Sequence, residues 1–140
     1  MPRYEARRTL PATVEAVWAV LAEPERLAEW WPGIEAVDPG RRGLVPGGLW
    51  RVEGGRSKPS FRRRPEMAGE LLVIEVVPRS RVAFQLLSEC IDVELGLETT
   101  EDDQAAATLV VEAPWFSGVG RAFPSQALSR LAALVRAAAP

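Results

Sequence analysis

Residues 10–37 read LPATVEAVWAVLAEPERLAEWWPGIEAV, and the fold is decided there. Val14, Val17, Trp18 and Leu21 recur at i, i+3, i+4 and i+7, the spacing of an amphipathic helix. Thr13 offers an N-cap oxygen, and Glu15 puts a negative charge in the positive first turn. Pro24 suits the first position of a second, short helix, where its missing N–H costs nothing. Pro32-Gly33 stops that helix. Leu27 then shares a face with Trp30 or Trp31. Two adjacent large aromatics at a helix end cover either a solid core or the mouth of a cavity.

The texture on both sides is that of strands. RYEARRTL (3–10) alternates and is ended by Pro11. IEAVD (34–38) follows the short helix, and a turn-rich PGRRGLVPGG leads into LWRVEGG. After the polar hairpin or loop RSKPSFRRRPE come MAGELLVIEVV, RVAFQLLSE, IDVELGLETT and AAATLVVEA, each bounded by turn residues. Ile91, Val93, Leu95 and Leu97 alternate with Asp92, Glu94 and Glu98, which gives one buried and one wet face. Strands so close in sequence pair as antiparallel meanders. At the end, Val119, Phe123, Ala127, Leu131 and Leu134/Val135 form one helical stripe. Pro124 predicts either a kink there or a helix that restarts with the proline in its first turn. The order β-α-α-β-β-β-β-β-β-α predicts one α+β domain over residues 1–140. Its longest helix is the last, of about four to five turns.

Composition narrows the chemistry. The 140 residues are 47% hydrophobic and carry a net charge of -2, which argues against general affinity for nucleic acid or anionic membrane. No apolar run reaches the roughly 20 residues that span a bilayer, and the charged MPRYEARRTL has no signal-peptide stretch, so a cytoplasmic location is expected. Without histidine, a Ser-His-Asp triad and a His-containing zinc site are impossible. No metal or cofactor is expected. The single cysteine, Cys90, lies between Leu86, Leu87 and Ile91 and reads as a packed thiol.

Three stretches together resemble the START-like superfamily, also called SRPBCC or Bet v 1-like, in its polyketide cyclase/dehydrase and lipid-transport form. They are residues 10–37, GELLVIEVVPRSRVAF (69–84) and GVGRAFPSQALSRLAALVRAA (118–138). The first is the most specific: A-T-x-E-x-V-W-x-x-L, then a W-x-P-G stop into a strand. The poorest match is residues 98–108, where the family often has a Gly-Thr turn and this chain has EDDQAAAT. The resemblance implies a helix-grip fold: about seven antiparallel strands curve around a long C-terminal helix. It also implies a cavity between sheet and helix for an apolar or amphipathic ligand.

Under that resemblance, Trp30, Trp31, Trp50, Phe61, Phe84, Val93, Leu95, Trp115, Phe123, Ala127 and Leu131 are the candidate ligand contacts. Each is equally suited to plain core packing. Trp30, three residues after Leu27, is expected to be the more buried of the pair, and Trp31 to line the pocket. Arg62, Arg63 and Arg64, with Arg56 and Lys58, read either as an anion clamp at the pocket mouth or as a solvated hairpin. A catalytic reading needs an acid or base inside the pocket. Glu70, Glu75, Arg51, Arg81 and Tyr4 are the polar residues able to point inward, subject to a register that reverses with a one-residue slip. No catalytic set stands out, and the missing histidine favours binding. The expectation is therefore a protein that binds a lipid- or polyketide-like small molecule, with a cyclase/dehydratase enzyme and a protein-interaction module as alternatives.

Overall fold

The computed structural model describes residues 2–54 and 69–138, the side chain of Phe116 excepted. Seven strands form one antiparallel sheet: β1 (Arg3–Leu10), β2 (Ile34–Asp38), β3 (Leu49–Gly54), β4 (Gly69–Val77), β5 (Arg81–Leu86), β6 (Ile91–Thr99) and β7 (Ala105–Glu112). Their order in space is β1-β7-β6-β5-β4-β3-β2. Strands β2 to β7 thus make a meander, and β1 joins it by pairing with the last strand. Helix α1 (Val14–Leu21), a 3-10 turn (Pro24–Arg26) and helix α2 (Leu27–Trp30) carry the chain from one sheet edge to the other. Helix α3 (Phe123–Ala138) packs against β1, β7 and α2. This is the α+β fold expected from the order of elements, in the helix-grip arrangement that the resemblance implies.

Period-2 alternation makes the sheet two-faced. Trp50, Val52, Leu71, Val73, Val82, Phe84, Val93, Leu95, Leu109 and Val111 are buried on the inner face, whereas Asp92, Glu94 and Glu98 are exposed on the outer one. Bulges between Ile34 and Ala36 and between Val73 and Glu75 interrupt the register, and bulges bend strands. Helix α3 buries Phe123, Ala127, Leu128, Leu131, Ala132 and Val135 against that face. Pro124 sits in the first turn, so the helix restarts there rather than kinking. The Arg8 guanidinium donates to Ser129 Oγ at 3.0 Å and ties α3 to the β1 edge.

The connections follow local chemistry. Thr13 Oγ1 accepts from the Ala16 amide at 3.2 Å, the N-cap expected for α1. Trp31 is the last residue tied to α2, its amide donating to the Leu27 carbonyl at 2.8 Å. Pro32-Gly33 then turns the chain: Gly33 has φ of 94°, and the Ile34 amide reaches back to the Trp31 carbonyl. Proline followed by a positive-φ glycine is the chemistry of a type II turn. Between β6 and β7 the turn puts Asp103 at φ of 58°, a position aspartate tolerates. Cys90 corrects an expectation. It takes φ of 54° in the β5–β6 turn and is exposed, not packed. Its apolar neighbours Leu86 and Ile91 are buried as the strand ends on either side, while the turn itself projects outward.

Candidate functional site

An apolar cleft opens on the inner face where α1 meets the 3-10 turn. Leu21, Glu23 and Pro24 form one side, Leu27 and Trp30 of α2 another. Trp50, Val82 and Phe84 form the sheet floor, and Leu44 of the β2–β3 loop closes the rim. With its mouth the cleft spans ≈ 320 Å³, but the centre of a water molecule has only ≈ 20 Å³ to occupy. That is room for about one or two waters. Among the described residues Glu23 is the single charged one in the lining, and its carboxylate lies 3.7 Å from Arg26 Nε.

The rim is held by the backbone of its own loop. Trp50 Nε1–H donates to the Gly43 carbonyl at 2.9 Å, which places the adjacent Leu44 over the cleft. The Gly47 amide donates to the Val73 carbonyl, and the Val73 amide to the Gly48 carbonyl, both at 2.8 Å, so the loop is sewn to β4. Gly48 is required by close approach: a Cβ there would meet the Gly43 and Val45 carbonyl oxygens at 2.8 and 3.0 Å.

The two tryptophans have exchanged the roles expected of them. Trp31 is 0% exposed and Trp30 3%, and it is Trp30 that lines the cleft. The Trp31 ring stands edge-on to Trp30, Phe84 and Phe123, with centroids 5.6, 5.5 and 5.1 Å away. It joins α2, the sheet and α3 into one aromatic cluster. The cause is local. Trp31 still follows helical spacing, its amide bonded to the Leu27 carbonyl, so Trp30 and Trp31 stand three and four residues after Leu27, and the extended ψ of 117° at Trp31 turns only the chain that follows.

The other candidates sort by position. Trp50 and Phe84 line the cleft with Trp30. Val93, Leu95, Phe123, Ala127 and Leu131 are buried where the sheet meets α3. Trp115 is 82% exposed and belongs to a 3-10 turn after β7, not to the sheet, so it stands apart from the inner face. Phe61, Arg56, Lys58, Arg62, Arg63 and Arg64 lie outside the described residues. Of the polar residues able to point inward, Arg51 and Glu70 are exposed and face each other across β3 and β4. Glu75 and Arg81 ion-pair at 3.4 Å on the outer face, where Glu94 joins them at 3.2 Å from Arg81 Nε. The register therefore turns these four outward. Tyr4, opposite the fully buried Val111, alone packs half-buried against the core.

Sequence reasoning passed over Leu21, Glu23, Pro24, Leu27, Leu44 and Val82 as cleft residues. One signal was present: the helix break at Pro24 exposes the ends of two helices at the same place. Leu44 carried a second, as part of an apolar pair in an otherwise glycine-, proline- and arginine-rich loop.

Among the described residues no polar or charged side chain is buried, and no helix is long and apolar enough to cross a membrane. The sequence model of the family described as polyketide cyclase / dehydrase and lipid transport matches residues 1–138. Similar solved structures include XoxI of Bacillus cereus, at 9% identity and a TM-score of 0.71, covering 97% of this chain and 96% of that one. A Nitrosomonas europaea protein matches at 16% identity and 0.68, covering 98% and 96%. The Aha1 dimer of Colwellia psychrerythraea matches at 17% and 0.64, covering 98% and 96%. At such identities these structures speak for the fold alone. No curated protein sequence matches the chain. The match of the family model over nearly the whole length, on a sheet that grips its C-terminal helix, places the chain in the SRPBCC-type polyketide cyclase/dehydrase and lipid transport family.

Proposed function

We propose that this protein, acting as one unit over residues 1–140 in the cytoplasm, binds a neutral apolar or amphipathic small molecule between its sheet and α3. Access is through the cleft at Trp30. The observation that carries this reading is the cleft lining: among the described residues, eight apolar or aromatic side chains and one acid at its edge, on the face where the family's fold holds ligands. An enzymatic reading has less support. General acid–base catalysis needs a titratable group at the reacting atoms. Of the described residues lining the cleft only Glu23 carries an ionisable side chain, and it is exposed. The narrow interior means that a ligand enlarges the space as it enters, by displacing Phe84, Trp30 or the Leu44 rim.

Native mass spectrometry of the purified 15.3 kDa chain tests the proposal. The expected result is a population carrying a small neutral adduct that activation releases, and an empty fraction that takes up 2-naphthol with quenching of tryptophan fluorescence. Bare protein that neither carries an adduct nor responds to the probe would overturn it.

A further inference from the structure

Among the described residues, two buried side-chain nitrogens have no hydrogen-bond partner: Trp31 Nε1 and Arg81 Nε. The second is accounted for, since carboxylates of Glu75 and Glu94 lie within 3.4 Å. The first is not. A buried donor without an acceptor forfeits its hydration and gains nothing in exchange, and such groups are rare enough in native proteins to need a cause. The cleft-lining Trp50 shows the usual solution, giving its indole proton to the Gly43 carbonyl at 2.9 Å.

The position of the orphan supplies the cause. Trp31 does not line the cleft, but its ring centroid is 5.6 Å from Trp30 and 5.5 Å from Phe84, which do. It is therefore one layer behind the cleft wall. A ligand that moves Phe84 or Trp30 aside reaches Trp31 next. We propose that Trp31 Nε1–H is the donor that reads the bound molecule, selecting an apolar ligand that carries a neutral acceptor oxygen such as a ketone, ester or ether. A carboxylate fits less well. Trp31 offers one neutral donor, the one charge on the cleft wall among the described residues is the acidic Glu23, and a buried unpaired anion is costly. This inference rests on the small-molecule reading above and assigns its polar contact.

The test uses wild-type protein labelled with 15N at its five tryptophans, the indole resonances being assigned by single Trp→Phe variants. It is titrated with 1-tetralone and with tetralin, which share a bicyclic skeleton and differ by the carbonyl. The expected result is a downfield shift of the Trp31 indole proton with tetralone only, while the Trp50 indole proton, already bonded, stays in place. Tetralone should also bind about fivefold to tenfold more tightly than tetralin, the worth of one buried hydrogen bond. Replacing Trp31 by benzothienylalanine, which keeps the ring shape and lacks the N–H, should bring the two affinities together. Equal affinities in the wild type with an unmoved Trp31 proton would overturn the inference and leave the binding reading intact. Failure of both compounds to bind would instead strike the binding reading itself.

Discussion

Trp30 and Trp31 are adjacent in sequence and do different work: Trp30 lines the cleft, and Trp31 packs behind it against Phe84 and Phe123. Trp31→Ala removes the ring that touches the sheet, α2 and α3 together, and should destabilise the fold by roughly 3 to 5 kcal/mol. Trp30→Ala takes away part of a wall that a ligand must otherwise displace. It should tighten binding of 2-naphthol by roughly a few-fold, because the open state no longer has to be selected. Denaturant titration and fluorescence quenching check the pair. Equal loss of stability in both, with probe affinity unchanged, would show that neither ring belongs to a binding wall. At this scale the sequence was only partly legible. Periodicity identified Val93 and Leu95 as inward and Glu94 as outward, since a strand repeats every two residues. It could not separate Trp30 from Trp31, because they follow Leu27 by three and four residues and helical spacing suits both to its face. Nor could it register Arg51, Glu70, Glu75 and Arg81, whose faces are fixed by cross-strand pairing.

Among the elements, α3 and the β2–β3 loop carry opposite kinds of information. The stripe of α3 was readable from Phe123 onward, since Phe123, Ala127, Leu131 and Val135 are buried as the spacing predicts, whereas Val119, though buried, precedes the helix. Leu131→Ala should cost roughly 2 to 5 kcal/mol. Arg130→Ala, on the exposed face, should cost less than about 0.5 kcal/mol in the same urea titration. The β2–β3 loop was legible only as turn-rich. Its fixed shape comes from bonds to β4 and to Trp50, which no local pattern announces. Gly48→Ala drives a Cβ into two carbonyl oxygens and should destabilise by roughly 1 to 3 kcal/mol. If the loop positions Leu44, the same variant should weaken 2-naphthol binding. Wild-type affinity in a destabilised Gly48→Ala protein would detach the rim from ligand binding.

Over the whole molecule, the fold follows from a sheet with one wet and one apolar face and a helix with a matching stripe. Strand β1 reaches past the meander to pair with β7, so the helices between β1 and β2 are left across the inner face, where their junction frames the cleft. The central claim is that a small molecule enters there. Methyl NMR of leucine-, valine- and isoleucine-labelled protein titrated with 1-tetralone addresses it most directly. The account predicts shifts at Leu21, Leu27, Leu44 and Val82, which line the cleft, with Leu49, Ile74 and Val77, exposed elsewhere, unmoved. Shifts confined to those exposed methyls, or none at saturating ligand, would contradict it.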